Sequence, residues 1–257
     1  MTATKYQNLT AVLVHAAWSD ASSWNNVTGP LCELGLRVRA AQIQLTSLSE
    51  DIAALKRLLG QVDGPVLLIA HSYAGAVITA AGADNPQVKA LVYVAAIVPD
   101  EGESVGALFQ RAEPKPSTRP KLAPDADGFL WLPPGAFANA VAPDAAKEET
   151  ALMEINQQPI ALKCLGEPMM VPAWKQKPSW FLVAEKDRMI SPATQHFMAE
   201  RIVARVHSCD TDHSPLVSAP ESVVRVIVEA ADAVVLRFDA SSLASAEIEV
   251  GARVGQV

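Results

Sequence analysis

The sequence predicts an α/β fold built around a mostly parallel sheet. Its 257 residues, half of them apolar, are enough for one large domain with a buried core. Short runs rich in Val, Ile and Leu alternate along the chain with stretches of helical character. This alternation is typical of parallel strands that are buried on both faces and joined by crossover helices. We therefore expect a central sheet flanked by helices.

Six apolar runs have the length and composition of strands. They are Leu9 to His15, Arg37 to Ile43, Pro65 to Ala70, Lys89 to Ala95, Ser179 to Ala184 and Val203 to His207. Helices are predicted where a capping residue precedes an apolar periodicity. Their starts are at Ser47 (with Glu50, before Ile52 to Leu59), at Ser191-Pro192 (before the stretch to Arg201) and at Ser218.

The alternation breaks between Glu101 and Lys177, where prolines are dense and no clear strand is predicted. We expect this segment, 101–177, to be a cap inserted into a core formed by residues 1–100 and 178–238. Within the cap, helical spacing of apolar residues predicts one helix from Pro143 to Ile155. Residues 239–257 form a small polar tail, for which we expect a peripheral or mobile position.

The composition argues against several classes of partner. The chain carries 21 basic and 28 acidic residues, a net charge of -7, without a basic cluster for nucleic acid. No apolar run approaches the roughly 20 residues that span a bilayer, and the N-terminus lacks a signal-peptide core. We expect a soluble, cytoplasmic protein with no membrane partner. Three scattered cysteines suggest neither disulfides nor a metal site, and the oligomeric state stays open.

The first motif with chemical content is the run VLLIAHSYAG, residues 66–75, in which an apolar strand leads through a serine into a helix. A serine at such a turn is held at the carboxyl edge of the sheet, clear of its own backbone. The sharp turn needs small residues two places before and after the serine, and here these are Ala70 and Ala74. The run predicts Ser72 as a nucleophile. The alternative is a capping serine at an ordinary strand-helix junction.

The run AVLVHAAW, residues 11–18, resembles the V-H-G-A-W turn of small α/β-hydrolases, and the run SDASSW that follows resembles their entry into the first helix. The resemblance implies that the backbone N–H groups of Ala17 and Tyr73 form an oxyanion hole, two preorganised donors for a developing negative charge. Ala16 stands where the family has glycine. His15 is expected to be a structural histidine that hydrogen-bonds the loop.

Two further loops resemble the same family. WFLVAEKDRMISP, residues 180–192, is similar to the family's G-x-x-D-x-x-x-P loop, which implies that Asp187 is the acid. DTDHSPLVSAPE, residues 210–221, resembles its H-S-P-x-x-S-x-P-E loop, which implies that His213 is the general base. Asp210 and Asp212 also compete for the role of the acid, but a sequence neighbour of a histidine rarely points at it, so Asp187 is favoured. The chain order Ser, Asp, His is that of α/β-hydrolases.

The resemblance is closest to small esterases and to the plant methylesterase and hydroxynitrile lyase group. It implies an α/β-hydrolase fold with an inserted cap and cofactor-free cleavage of a small to medium carboxylic ester through an acyl-enzyme. Trp18 and Trp131 are candidate walls of the substrate pocket. A hydroxynitrile lyase is a second hypothesis, weakened because Ser214 stands where those lyases have lysine. Cofactor-free haloperoxidase or perhydrolase activity is a side reaction that the same acyl-enzyme would allow, and a catalytically silent small-molecule receptor is the third hypothesis.

Overall fold

The structure, a computed structural model, describes residues 5–111 and 119–254, and for residues 238–254 the backbone alone. The strands are β1 (Thr10–Val14), β2 (Arg37–Ala41), β3 (Val66–His71), β4 (Val88–Val94), β5 (Phe129–Leu130), β6 (Ile160–Ala161), β7 (Ser179–Ala184) and β8 (Arg205–Cys209). Within the described chain, six of them form one parallel sheet in the order β2-β1-β3-β4-β7-β8. β5 and β6 form a separate antiparallel pair. The predicted α/β fold with a parallel central sheet is confirmed.

Helices connect the strands. They are α1 (Asn25–Glu33), α2 (Leu48–Leu59), α3 (Ala74–Ala81), α4 (Val105–Phe109), α5 (Lys147–Ile155), α6 (Leu162–Gly166), α7 (Pro192–Arg201), α8 (Pro215–Ser218) and α9 (Pro220–Val254). The predicted caps are present: the hydroxyl of Ser47 accepts the N–H of Glu50 at 3.1 Å, and Ser191 caps α7. Among the described residues, no helix has both the length and the apolar character needed to cross a membrane.

The strands alternate their side chains between two apolar clusters, one on each face of the sheet. On β3, Leu68 and Ala70 pack into the cluster that contains α2 and α3, whereas Leu67 and Ile69 pack into the cluster that contains α1 and α9. All residues of β3 are buried, because helices cover both faces of the sheet. The two layers therefore fix the direction of the strand that leads to Ser72.

Two strand boundaries differ from the prediction. β2 ends at Ala41 and not at Ile43, because the N–H of Ile43 donates to the His15 ring and the chain leaves the sheet there. β8 runs from Arg205 to Cys209, and Val203 lies outside it with φ of 52°. Val203 forms the turn after α7 and is exposed, so the apolar run that predicts a strand from this residue is misleading.

The segment 101–177 contains α4, the β5–β6 pair, α5 and α6. The prediction that no strand lies in this segment is therefore wrong, because β5 and β6 are two short strands within it. The predicted helix from Pro143 begins only at Lys147, because the N–H of Asp144 donates to the carboxylate of Asp212 and Ala146 is extended. The last helix continues as backbone through Val254. How the tail 239–257 packs lies outside the described residues.

A close approach of backbones occurs at Gly75, in the first turn of α3. A Cβ atom at this position would lie 2.3 Å from the carbonyl oxygen of Ile97 and 2.9 Å from Cβ of Ala96. The glycine next to the serine motif is therefore required at residue 75, whereas Ala70 and Ala74 are buried without such a conflict.

We expect Gly75→Ala to lower the free energy of unfolding by roughly 3 kcal/mol, because backbone atoms must move to admit the methyl group. Gly29→Ala is the matched control, since a Cβ atom there meets nothing within 4 Å. It should leave stability unchanged or raise it by about 1 kcal/mol, as expected for a helical glycine. Urea unfolding midpoints measure both values, and equal stabilities of the two variants would contradict the prediction.

Candidate active site

Three side chains from distant parts of the sequence form a continuous hydrogen-bond chain. Ser72 follows β3, Asp187 follows β7 and His213 follows β8, so all three lie at the carboxyl edge of the sheet. Ser72 Oγ lies 2.9 Å from His213 Nε2, and His213 Nδ1 lies 2.7 Å from Asp187 Oδ2. All three residues are buried. The structure thus brings together the three residues that the motifs single out.

Ser72 occupies a sharp turn between strand and helix. Its φ is 54°, in the left-handed region that a residue with a side chain seldom adopts. The turn is held by its neighbours: the N–H of Ser72 donates to the carbonyl of Val94 at 3.2 Å, and the N–H of Ile97 donates to the carbonyl of Ser72 at 3.0 Å. The residue that caps α3 is Tyr73, without a side-chain capping bond. The hydroxyl of Ser72 therefore serves the histidine and not the helix.

Asp187 is held by donors on both carboxylate oxygens. Oδ1 accepts the N–H groups of Met189 at 2.7 Å and Ile190 at 2.9 Å, and Oδ2 accepts from His213 and from Nε2 of Gln195, the latter at 2.7 Å. Gln195 is fully buried on α7. It has no sequence signal of its own, because most glutamines on a helix are exposed. These bonds fix the orientation of the carboxylate toward the imidazole.

The two aspartates that precede His213 have other roles. Asp210 is exposed and forms an ion pair with Lys186 at 2.8 Å. Asp212 is buried and accepts hydrogen bonds from groups in three segments. Its donors are the N–H of Asp144 (2.8 Å), the N–H of Ser214 (2.9 Å) and the hydroxyl of Ser218 (2.8 Å). Asp212 therefore joins the segment 101–177 to the loop that carries His213, and Asp187 is the aspartate bonded to the His213 ring.

The predicted oxyanion donors are the N–H groups of Ala17, on the loop after β1, and of Tyr73, the residue after Ser72. Among the hydrogen bonds of the described residues, neither group donates. The Ala17 loop is held by His15, whose Nδ1–H donates to the carbonyl of Ala16 at 2.9 Å while Nε2 accepts the N–H of Ile43 at 3.1 Å. Burial lowers the pKa of His15, which keeps the ring neutral. His15 is structural, as the sequence indicates.

Trp18 lines three cavities; one of about 520 Å³ extends to Met189, and the other two adjoin each other. A narrow cavity of about 20 Å³ touches the rings of His71 and His213, and a wider one of about 340 Å³ leads away from it. Both are lined by Trp18, Phe137 and Met153. The indole N–H of Trp18 donates to the carbonyl of Leu130 at 2.9 Å, which fixes its ring. The position of Trp18 agrees with a role in the pocket.

Trp131, the other candidate for the pocket wall, does not line the narrow cavity. Its side chain is 47% exposed and its indole N–H donates to Asp125 at 3.0 Å. The residue that lines the narrow cavity is its neighbour Leu132. Because side chains alternate along an extended segment, burial of Leu130 and Leu132 turns Trp131 outward.

His71 holds the backbone of the loop that carries His213. Its Nε2–H donates to the carbonyl of His213 at 2.7 Å, and the two rings lie 5.0 Å apart. Burial lowers the pKa of His71 to about 3. A neutral ring at this position adds no positive charge beside His213.

The fold and this constellation match a known protein family. Residues 11–226 match the alpha/beta hydrolase family, and the chain belongs to it. The resemblance derived from the motifs is thereby confirmed. A carbendazim hydrolyzing esterase of Nocardioides is 34% identical over 117 residues, which cover 40% of this chain and 48% of that esterase. The match thus spans about half the length of that relative.

Solved structures of other proteins share the fold. A pyrethroid hydrolase from Sphingobium faniae superposes with a TM-score of 0.77 at 21% identity, covering 88% of this chain and 98% of the other. A methylesterase from Arabidopsis gives a TM-score of 0.72 at 19% identity, covering 87% and 99%. At these identities the likeness concerns the architecture, and it extends over most of both chains.

We expect the free energy of unfolding to fall as the pH drops below about 6.5, the ordinary pKa of histidine. There the unfolded chain protonates residue 71, whereas the folded protein keeps His71 neutral down to about pH 3. Its contribution is therefore complete above about pH 6.5 and is lost at about 1.4 kcal/mol per pH unit below it. His15 acts in the same direction.

Urea unfolding at about pH 7 and about pH 5 measures this slope. The His71→Gln variant should show a shallower slope, because glutamine keeps a donor for the carbonyl of His213 but takes up no proton. His196→Gln is the control, since His196 is exposed and pairs with Glu185. A slope that His71→Gln leaves unaltered would rule out this origin of the pH dependence.

Proposed function

We propose that this protein is a serine esterase that cleaves small to medium carboxylic esters through an acyl-enzyme. The observation that carries the proposal is the chain of contacts from Ser72 Oγ through both ring nitrogens of His213 to Asp187, at 2.9 and 2.7 Å. A serine hydroxyl is a weak nucleophile, and an imidazole within hydrogen-bond reach removes its proton as it attacks. The carboxylate holds the ring in the tautomer whose Nε2 is free to accept that proton.

In the acylation step, Ser72 Oγ attacks the ester carbonyl while its proton passes to His213 Nε2. The electron pair of the carbonyl moves onto oxygen, and the N–H groups of Ala17 and Tyr73 are the proposed donors to this oxyanion. The tetrahedral intermediate collapses when His213 returns the proton to the leaving alkoxide. The alcohol departs, and the acyl group stays on Ser72.

In the deacylation step, a water molecule takes the place of the alcohol. His213 removes a proton from the water as its oxygen attacks the acyl carbonyl, and the same two N–H groups receive the second oxyanion. Collapse returns the proton to Ser72 Oγ and releases the carboxylic acid. Asp187 stabilises the imidazolium that forms in each half of the reaction.

The cavities lined by Trp18 have room for a small to medium substrate. The space beside His213 is narrow, and the wider cavity of about 340 Å³ is lined by the apolar side chains of Phe137 and Met153 as well as by polar residues such as Asn156. This cavity and the one of about 520 Å³ that Trp18 also lines both fall within the range of small-molecule sites. The names of two similar proteins, an esterase and a methylesterase, also support ester cleavage.

The nucleophile is tested with a fluorophosphonate probe. We expect stoichiometric labelling of the wild-type protein and none of Ser72→Ala, together with hydrolysis of p-nitrophenyl esters that the variant lacks. Ser208→Ala is the control and should keep both labelling and hydrolysis, because Ser208 is exposed on β8 and its hydroxyl donates to Glu185 at 2.6 Å. A folded wild-type protein that stays unlabelled would favour a silent receptor. Cleavage of mandelonitrile without any esterase activity would favour the lyase.

The acid is tested by Asp187→Asn. An amide at this position donates to His213 Nδ1 and forces the tautomer whose Nε2 carries the proton, so kcat should fall by about 10⁴ with little change in KM. Asp210→Asn, three residues before His213 and exposed, should retain wild-type kcat. Steady-state kinetics on a p-nitrophenyl ester compare the two variants, and a comparable loss in both would refute the assignment of Asp187.

A further inference from the structure

Asp51 is a buried carboxylate that the proposed mechanism does not use. It lies on the face of α2 that also carries Leu48, Leu55 and Leu59, and it is fully buried. Aspartate is almost never fully buried unless it is paired. A carboxylate in an otherwise apolar helical stripe therefore calls for a specific set of partners.

The partners of Asp51 are three hydrogen-bond donors. Its Oδ1 accepts the N–H groups of Gln44 at 2.8 Å and Leu45 at 2.9 Å, and its Oδ2 accepts the hydroxyl of Tyr73 at 2.8 Å. Burial raises the pKa of Tyr73, so its hydroxyl stays protonated and donates. Tyr73 is the residue after Ser72, and its N–H is one of the two proposed oxyanion donors.

The segment that Asp51 binds also supports the other donor. The connection between β2 and α2 contains Ile43, Gln44 and Leu45, which are here called the 43–45 loop. The N–H of Ile43 donates to His15, which in turn bonds the carbonyl of Ala16. The 43–45 loop is thus bound by the ring of His15 on one side and by Asp51 on the other, and Asp51 in turn accepts the hydroxyl of Tyr73.

We propose that Asp51 is a positioning residue of the oxyanion hole, fixing Tyr73 directly and the Ala17 segment through the 43–45 loop. This inference rests on the proposed esterase function. Oxyanion donors act through preorganisation, because their N–H groups must already point at the position where charge develops. A displacement of about 1 Å in such groups is enough to reduce turnover by 10²-fold.

A carboxylate suits this task better than an amide. Asp51 offers two acceptor oxygens to three donors, whereas asparagine offers one oxygen and turns an NH₂ group toward a donor. In Asp51→Asn either the Tyr73 hydroxyl or the two loop N–H groups lose their acceptor. Tyr73→Phe removes the single bond between the carboxylate and the residue next to Ser72 while keeping the ring in place.

Steady-state kinetics with p-nitrophenyl butyrate test the proposal. We expect Asp51→Asn and Tyr73→Phe to lower kcat by roughly 10-fold to 100-fold, less than the 10²- to 10³-fold effect of losing a whole oxyanion donor. KM should stay within about 3-fold, because these donors act in the transition state. The affinity for a trifluoromethyl ketone, whose adduct with Ser72 carries an oxyanion, should fall in parallel with kcat.

Tyr93→Phe is the matched control. The hydroxyl of Tyr93 is fully buried in the same apolar cluster and lies 2.9 Å from the hydroxyl of Thr79, away from the proposed site. Its removal should lower the unfolding midpoint much as Tyr73→Phe does, yet leave kcat and inhibitor affinity at wild-type values. Such a contrast separates positioning from general destabilisation.

The outcomes distinguish the inference from the proposed function. Wild-type kcat and inhibitor affinity in Tyr73→Phe, with only a lower unfolding midpoint, would overturn the role of Asp51 while leaving the esterase intact. A wild-type protein that neither binds a fluorophosphonate nor hydrolyses esters would remove the proposed function and this inference with it. If Asp51→Asn fails to fold, Tyr73→Phe alone decides, since it keeps the carboxylate and its two backbone bonds.

Discussion

The hydrogen bond between Ser72 and His213 joins residues 141 positions apart, and the parallel sheet is what makes it possible. Parallel strands end at the same edge, so every loop that follows a strand begins near its neighbours. The strands β3, β4, β7 and β8 are consecutive in the sheet, and three of them end beside a member of the Ser72–His213–Asp187 chain. The strand register and the packing of helices on the sheet fix the positions of the strand ends. They thereby fix the distances among Ser72, His213 and Asp187.

Around this edge, the polar groups that surround the three side chains tie separate layers together. Gln195 links α7 to Asp187, Asp212 links the segment 101–177 to the loop that carries His213, and Asp51 links α2 to the residue after the serine. Each of these residues is buried and satisfied by several donors or acceptors. Fully satisfied buried polar groups favour one arrangement of the chain over competing ones, because an unpaired group in the interior is costly.

The sequence was most informative where a local rule decides the structure. Strands buried on both faces form continuous apolar runs, so β3 and β7 are predicted almost to the residue, and the capping serines at residues 47 and 191 fix the helix starts. The residues of the candidate triad could be predicted from the sequence for a similar reason, since each follows a strand in a recognisable loop. Family resemblance then supplied the roles that spacing alone does not.

Other features depend on contacts that no local rule contains. The start of β8 is displaced because it is a solvent-exposed edge strand with little apolar pattern. The outward position of Trp131 follows from the burial of its two neighbours, Leu130 and Leu132. Asp51 and Gln195 act through partners far away in the chain or on another element. Only an unexpected carboxylate among the leucines of α2 could have signalled one of them beforehand.

The left-handed backbone at Ser72 has a consequence for selection experiments. A side chain held in this conformation costs roughly 1–3 kcal/mol, and glycine adopts it freely. Libraries screened for heat resistance alone will therefore tend to enrich glycine at residue 72, the one replacement that relaxes the turn and discards the hydroxyl. At residue 72, thermal stability and turnover therefore favour different amino acids. A screen for stability alone selects a more stable protein that has lost its nucleophile.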